Sequence, residues 1–204
     1  RFIIWHTNRP HEECTYQLPV IGEHQIENAA VAVALVQELR EQGWRISQQA
    51  IARGLKTLQW PARCEIMLGR PPTMLDCAHN RASAKRLAET LQDYFPGLRR
   101  ILVFGAMRDK DVTGMFAELL PGCSIAIMTS TATARAMRPT DLVQLAKDYN
   151  CKISPAADLS SALAQAKHSA KQDGIVVVTG SVALAGAAYA ALTKETDLLP
   201  AVHV

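Results

Sequence analysis

Three short, largely apolar runs in the second half of the chain constrain the fold more than any other feature. They are Ile101 to Phe104, Ser124 to Thr129 and Ile175 to Val178, and segments with helical spacing separate them. Strands that are apolar along their length are typical of a parallel sheet covered on both faces, because the connecting helices must lie on those faces. The sequence therefore predicts an α/β fold with a mostly parallel sheet and helices on both sides.

A predicted hairpin precedes these runs. Its turn, Gly69 to Pro72, joins two short strands, so one edge strand should run antiparallel to the rest. The second strand should end at Asp76, and Asn80 should cap the helix that follows. The apolar positions of that helix have helical spacing: Ala84, Leu87, Ala88, Leu91 and Phe95.

Ionisable residues cluster around this hairpin, at Arg63, Asp76 and His79. Open α/β sheets bind ligands at the carboxyl ends of their strands, and this is where Asp76 and His79 should lie. Each residue also has a simpler interpretation. A polar residue before a helix often serves only as a cap, which stabilises by about 1 kcal/mol, and Arg63 could be an ordinary surface cation. The grouping, rather than any single residue, indicates a site.

Two further strand ends should meet the end of the Asp76 strand at one crevice, Phe104-Gly105 and Thr179-Gly180-Ser181. The glycines allow the backbone to approach a ligand closely, and Ser181 near a helix start offers N–H groups to an anion. Strand-to-helix turns often contain glycine and serine, so these residues alone are weak evidence.

The first part of the chain has a different organisation, with a predicted boundary near Gln59 to Pro61. Two strands joined by a turn at Asn8 to Pro10 should precede helices over Ala29 to Arg40 and Gln48 to Leu58. Residues after Thr193 resemble a loose tail. The sequence opens without a methionine and inside a predicted strand, so we expect a fragment of a longer protein.

Composition excludes several function classes. A net charge of +3, without a basic cluster, does not favour nucleic acid binding. The five cysteines form no C-x-x-C pair, which favours a reducing, cytoplasmic compartment over a disulfide framework. His6, His11 and Cys14 match no standard zinc spacing, and no apolar run is long enough to cross a membrane.

Neither a G-x-x-x-x-G-K-[ST] loop nor a G-x-G-x-x-G fingerprint occurs in the 204 residues. If the chain handles a nucleotide, a segment outside this sequence must bind the triphosphate.

A series of motifs nevertheless resembles one family. In order they are Gly22-x-His24-Gln25-x-x-Asn28-Ala29, Trp60-Pro61-Ala62-Arg63, Asp76-x-Ala78-His79-Asn80, Phe104-Gly105 with Asp109-Lys110-Asp111, and Thr179-Gly180-Ser181. The series is similar to the carboxyl-terminal half of folylpolyglutamate synthase/dihydrofolate synthase, a member of the Mur ligase superfamily, and spans Gly22 to Leu192. The Asp-Lys-Asp loop favours the folate branch over the peptidoglycan branch.

This resemblance implies a domain organisation. Residues 1–59 would be the C-terminal part of a central ATPase domain, and residues 60–204 a Rossmann-like C-terminal domain. ATP and the substrates would bind between this domain and a P-loop N-terminal domain of the same protein. The ligands of Mg²⁺ would belong to the missing N-terminal part, and the whole protein would be a cytoplasmic monomer.

The resemblance also implies roles for five residues. Asn28, Arg63 and Asp76 match ATP-binding positions, where an amide can bind adenine, a guanidinium can pair with phosphate and a carboxylate can accept from ribose hydroxyls. His79, the implied catalytic residue, and Ser181 match positions linked to the incoming glutamate.

The implied reaction adds L-glutamate to folate or dihydropteroate. ATP would convert the acceptor carboxylate into an acyl phosphate, and the glutamate amine would then displace phosphate. Catalysis of this kind rests on positioning and on neutralising phosphate charge. Because the P-loop is absent from the 204 residues, the fragment alone should be inactive.

Three positions depart from the family pattern. Ala62 and Cys77 stand where glycines are usual, and Arg81 stands where proline commonly follows. If either glycine position has a positive φ, its replacement should be strained.

Other interpretations stay open. The protein could be a Mur-type ligase acting on a non-folate carboxylate. It could instead be a receiver-like α/β module with Asp76 as phospho-acceptor, although Thr179-Gly180-Ser181 stands where a receiver places a lysine. A third alternative is a catalytically incomplete binding module or pseudo-enzyme.

Overall fold

The computed structural model describes residues 2–6 and 9–197. The chain divides into two compact units, and the boundary falls between Trp60 and Pro61.

The first unit contains two strands and two helices. Strands β1 (Phe2–His6) and β2 (Arg9–Tyr16) pair antiparallel. Helices α1 (Glu23–Glu41) and α2 (Gln48–Lys56) follow. The small core consists of Phe2, Tyr16, Ala29, Val33 and Ile51.

Helix α1 begins six residues earlier than the predicted start at Ala29. Gly22, with φ of 107°, precedes the first turn, and Glu23 and the residues after it continue as helix. Asn28 therefore lies inside the helix rather than before it. Of the predicted turn, Asn8 is outside the described residues, and Arg9 and Pro10 belong to β2.

The second unit is built on a six-stranded sheet in the order β3-β4-β8-β5-β6-β7. The strands are β3 (Glu65–Met67), β4 (Thr73–Leu75), β5 (Arg99–Phe104), β6 (Ile125–Met128), β7 (Lys152–Pro155) and β8 (Gly174–Thr179). Only β3 runs antiparallel to its neighbour within this sheet, and β4 to β8 are parallel. The predicted parallel sheet with one antiparallel edge is confirmed.

Helices cover both faces of this sheet. They are α3 (Arg81–Tyr94), α4 (Val112–Leu119), α5 (Pro139–Ala146), α6 (Leu159–Ala170) and α7 (Val182–Asp197). Helices α3, α4 and α5 pack side by side, and α6 packs beside α7. Successive strand residues point to opposite faces: Val103 belongs to the core under α6 and α7, whereas the Phe104 ring lies 4.8 Å from the Phe116 ring of α4.

The central strand β8 is buried at all six positions, which explains why its sequence is apolar without alternation. Helix α7 continues to Asp197, so the prediction of a loose tail after Thr193 is wrong for residues 194–197. Leu192 is buried, and the Thr193 hydroxyl donates to the Tyr189 carbonyl one turn earlier in the same helix. Within the described ranges, none of the helices combines the length and apolarity that a membrane span requires.

A substitution at Gly180 tests how closely the ends of the strands pack. Its φ is +111°, and a Cβ there would lie 2.7 Å from the Gly105 carbonyl oxygen. Replacing Gly180 by Ala should lower the free energy of unfolding by about 2 kcal/mol or more, from backbone strain and overpacking. Gly186→Ala is the matched control, because that position in α7 has open space and should gain about 0.5–1 kcal/mol from helix propensity. Urea unfolding of both variants measures the difference, and equal effects would contradict the packing described.

Candidate active site

Three loops meet at the carboxyl edge of the sheet. The Asp76 N–H donates to the Val178 carbonyl at 3.0 Å, and the Gly180 N–H donates to the Ala78 carbonyl at 3.1 Å. The Gly105 N–H donates to the Thr179 carbonyl at 3.3 Å. The structure therefore brings together the three strand ends that the sequence analysis placed at one crevice.

The connections explain why a crevice forms here. After β4 the chain enters α3 on one face of the sheet, whereas after the neighbouring β8 it enters α7 on the other face. Adjacent loops that leave toward opposite faces create the switch point at which open α/β sheets bind ligands.

Arg63 reaches this edge because β3 is antiparallel. Glu65 at the start of β3 pairs with Leu75 at the end of β4, so the turn before β3 lies beside the loop after β4. The half-buried Arg63 sits in that turn between Ala62 and Cys64, whose φ angles are +54° and +49°. The strain expected at Ala62 is thus present.

The other two departures from the family pattern have different outcomes. Cys77 is not among the described residues with a positive φ, so the substitution of glycine there strains nothing. Arg81 opens α3, and its Nε lies 2.8 Å from a Glu118 carboxylate oxygen of α4. The arginine therefore links the two helices at a position where the family commonly has proline.

Asp76 is almost entirely enclosed, with 6% of its surface exposed. One carboxylate oxygen accepts from the Ala78 N–H at 2.8 Å, and the other accepts from the Cys64 N–H at 3.0 Å and the Cys64 thiol at 3.4 Å. Burial raises the pKa of Asp76, and these hydrogen bonds and the Arg63 charge partly oppose that rise. Such enclosure does not suit a receiver-type phospho-acceptor, which must reach solvent.

His79 is half-buried in the same loop. Its Nδ1 lies 3.0 Å from the Cys77 carbonyl oxygen, which can only accept, so a bond here requires the proton on Nδ1. In the neutral ring Nε2 is then the acceptor. Asn80 caps α3, as the sequence predicted, and the structure adds a capping box with Ser83.

Ser181 is buried at the start of α7, with 5% of its surface exposed. Its hydroxyl oxygen accepts from the Leu184 N–H at 3.1 Å, which satisfies one orphan donor of the helix. The serine is therefore a helix cap, and its hydroxyl hydrogen is still available as a donor.

The Asp-Lys-Asp loop is held to a second loop that the sequence analysis did not connect with it. Asp109 accepts from Lys110 and from Arg135, each at 3.2 Å, and the Arg108 N–H donates to the Arg135 carbonyl at 3.0 Å. Asp111 caps α4. Arg135 was missed because nothing in the local sequence indicates a partner 26 residues away.

The five predicted site residues thus fall into two groups. Arg63, Asp76, His79 and Ser181 all lie at the carboxyl edge of the sheet in the second unit. Asn28 lies exposed on α1, in the first unit.

Comparisons with known proteins agree with this architecture. Residues 62–182 match the family described as Mur ligase, glutamate ligase domain. A probable bifunctional folylpolyglutamate synthase/dihydropteroate synthase of Halobacterium salinarum is 35% identical over 186 residues, which are 89% of this chain and 22% of that protein.

Two solved structures have the same fold. The Mycobacterium tuberculosis folylpolyglutamate synthase complexed with ADP matches with a TM-score of 0.79 at 31% identity, over 86% of this chain and 41% of that chain. The Yersinia pestis folylpolyglutamate synthase/dihydrofolate synthase complexed with AMPPNP and Mn ion matches with a TM-score of 0.76 at 26% identity, over 90% and 42% of the two chains. The chain therefore spans less than half the length of each of these relatives.

The fold, the loops at the carboxyl edge of the sheet and the family match together define a ligase domain of the Mur type. More narrowly, the chain belongs to the folylpolyglutamate synthase/dihydrofolate synthase branch of the Mur ligase family, of which it contains the C-terminal glutamate ligase domain.

The buried carboxyl of Asp76 provides a test of this geometry. Its pKa should be above the ordinary aspartate value, whereas that of Asp158, which accepts from the Ser161 N–H on an exposed helix end, should be below it. Because the folded-state pKa of Asp76 is raised, its contribution to stability is complete below the ordinary pKa and is lost as pH rises through the raised value. Carboxyl ¹³C chemical shifts followed against pH measure the pKa of both side chains. A midpoint for Asp76 at or below that of Asp158 would contradict the enclosure of the Asp76 carboxyl.

Proposed function

We propose that this chain supplies the C-terminal part of the ATP and glutamate sites of an ATP-dependent amide ligase. The enzyme would add L-glutamate to folate or dihydropteroate through an acyl-phosphate intermediate. The observation that supports this most directly is the assembly of Arg63, Asp76 and His79, from two separate motifs, at one edge of a Mur-type sheet.

Arg63 is proposed to neutralise phosphate charge. The turn before β3 brings Arg63 to the carboxyl edge, and its positive charge partly opposes the rise in the pKa of Asp76. An arginine fork can bind phosphate oxygens through two parallel hydrogen bonds, each contributing about 1.5–3 kcal/mol.

Asn28 in the first unit and Asp76 in the second are each proposed to contribute to nucleotide binding. Asn28 is exposed on α1, so its amide is open to a ligand. The ADP and AMPPNP carried by the two solved relatives support nucleotide binding in the complete protein.

His79 is proposed to act on the incoming glutamate. An amine must lose a proton before or as it attacks an acyl phosphate, and the Nε2 acceptor of a neutral His79 can take that proton. The Ser181 hydroxyl can donate to a carboxylate oxygen while its own oxygen caps α7.

The remaining parts of the site are assigned to other segments of the same protein. In the part of the chain that the structure describes, no three His, Cys, Asp or Glu side chains form a metal-holding group, so no step here is assigned to Mg²⁺. Val31 and Leu35 on α1 are 61% and 62% exposed, an apolar stripe that a P-loop domain of the same protein would cover. We propose that the whole protein is a cytoplasmic monomer.

The experiment is a glutamylation assay on the full-length protein with ATP, L-glutamate and either dihydropteroate or a reduced folate. His79→Ala should lower kcat by about a hundredfold or more, since general bases contribute roughly 10²–10⁴-fold. His168→Ala is the matched control, because that exposed histidine lies on α6 beside Lys152, at the opposite end of the sheet. Mass spectrometry of the product and ADP release measure both.

The outcomes separate the candidate functions. Glutamylation of a different carboxylate, with neither pterin acceptor used, would favour a Mur-type ligase of another substrate class. No ATP-dependent ligation with any carboxylate would favour the catalytically incomplete module.

A further inference from the structure

A cavity of about 160 Å³ opens to solvent between α6 and the two outer strands, β6 and β7. It lies at the amino end of these strands, because Ile125 and Lys152 are their first residues. The proposed ligase residues of this unit lie at the opposite, carboxyl edge of the sheet. We call the cavity the α6–β7 pocket, and its floor and walls include Ile125, Ile127, Lys152, Ser154, Gln165 and Ser169.

The pairing of β6 with β7 explains the floor of the pocket. Ile125 lies opposite Lys152 in the parallel register. The next pair on the same face of the sheet is Ile127 with Ser154, and this is the face that α6 covers. Ile127 is buried in the core, and Ile125 packs against that core partly buried. The short Ser154 side chain leaves space beside them, so an apolar surface is open to a small molecule.

The wall that α6 contributes is polar. Gln165 and Ser169 are four residues apart, so they lie one turn from each other on the same face of the helix. A helix face turned toward a sheet is normally apolar, and here it carries an amide and a hydroxyl. No hydrogen bond in the described part of the chain uses the side chains of Ser154, Gln165 or Ser169, so their donors are available to a ligand.

The charge around the pocket is positive. Among the described residues, no Asp or Glu lines it, and Lys152 has no ion-pair partner. A second cation, Arg99 at the start of β5, reaches the same region. Its Nη2 donates to the Ser169 carbonyl, and its Nε is buried without a hydrogen-bond partner within residues 2–6 and 9–197. The pocket therefore favours an anionic ligand.

The surroundings favour a single carboxylate over phosphate. Helix α6 ends beside the pocket, and the partial negative charge of a helix C-terminus disfavours a dianion. Phosphate is bound more often at helix N-termini or by arginine forks, whereas this pocket offers one lysine with neutral donors. Its volume is about half that of the smallest sites for drug-sized molecules, roughly 300 Å³, so it is too small for a nucleotide or a folate.

The outer edge of β7 is poorly suited to the alternative occupant, an added peptide strand. The N–H groups of Lys152 and Ala156 donate to β6, so the backbone of Ile153 and Pro155 faces outward. Proline has no N–H to offer a neighbouring strand. Strand addition depends on such main-chain hydrogen bonds, and this edge therefore favours a small molecule in the pocket.

We propose that the α6–β7 pocket binds a small organic monocarboxylate. The apolar part of the ligand lies on Ile125 and Ile127, and its carboxylate accepts hydrogen bonds from Lys152 and from the hydroxyls of Ser154 and Ser169. This site goes beyond the proposed ligase function and does not depend on it.

Methyl NMR of the full-length protein, labelled with ¹³C at the isoleucine δ1 carbons, tests the proposal with isovalerate as the probe. The resonances of Ile125 and Ile127 should shift and saturate at millimolar concentration, as expected for so small a ligand. The neutral isostere 3-methylbutan-1-ol and inorganic phosphate should each bind at least tenfold more weakly. Unshifted resonances of both isoleucines, or equal affinity for the alcohol or for phosphate, would overturn the proposal.

Two variants locate the carboxylate. Lys152→Met removes the charge and keeps an apolar stem, so it should weaken isovalerate binding about tenfold or more. Lys147→Met is the matched control, because that exposed lysine follows α5 on the opposite face of the sheet, and its affinity for isovalerate should be unchanged. Equal affinities of the two variants would contradict the role of Lys152.

Ser154→Leu tests the pocket independently of the charge, and it serves if Lys152→Met does not fold. The larger side chain should fill the space beside the isoleucines and abolish the saturable shifts. Isovalerate binding that persists in Ser154→Leu would place the ligand elsewhere and overturn the proposal.

Discussion

The close approach of strand ends around β8 is the constraint on which the second unit depends. Gly180 and Gly105 are so near each other that a Cβ at Gly180 would stand 2.7 Å from the Gly105 carbonyl oxygen. The Gly180 and Gly105 amides also complete the hydrogen bonds that extend the sheet past its last paired residues. Because β8 is the central strand and is buried throughout, its loop determines where the loops on either side can lie.

The charged side chains at the carboxyl edge of the sheet differ in how far they are exposed to solvent. Three cations in the loops at this edge are wholly or partly exposed to solvent: Arg108, Lys110 and Arg135. Asp109 forms ion pairs with Lys110 and with Arg135. Asp76 is the buried carboxylate of the group, and its charge is supported by backbone and thiol donors. Exposed ion pairs of the first kind contribute little to stability, whereas an enclosed carboxylate with fixed donors holds loops in place.

Much of the fold could be predicted because its signals are local. The apolar runs indicated β5, β6 and β8, the proline-rich turn indicated the antiparallel edge, and Asn80 indicated the start of α3. Element ends were less predictable: α1 begins six residues early and α7 continues past Thr193, since good helix formers on both sides of a boundary leave no local stop signal. Arg135 and Cys64 could not be assigned, because their partners are 26 and 12 residues away.

The sequence by itself determined the periodicity of the elements, the order of the motifs and the residue types available for chemistry, because these depend on neighbours along the chain. Only the tertiary structure decided that the Asp76 carboxylate faces the Cys64 turn and that Arg63 lies beside the end of β4. The physical reason is strand direction and order. An antiparallel β3 and the insertion of β8 between β4 and β5 bring together backbone donors and side chains that no local pattern connects.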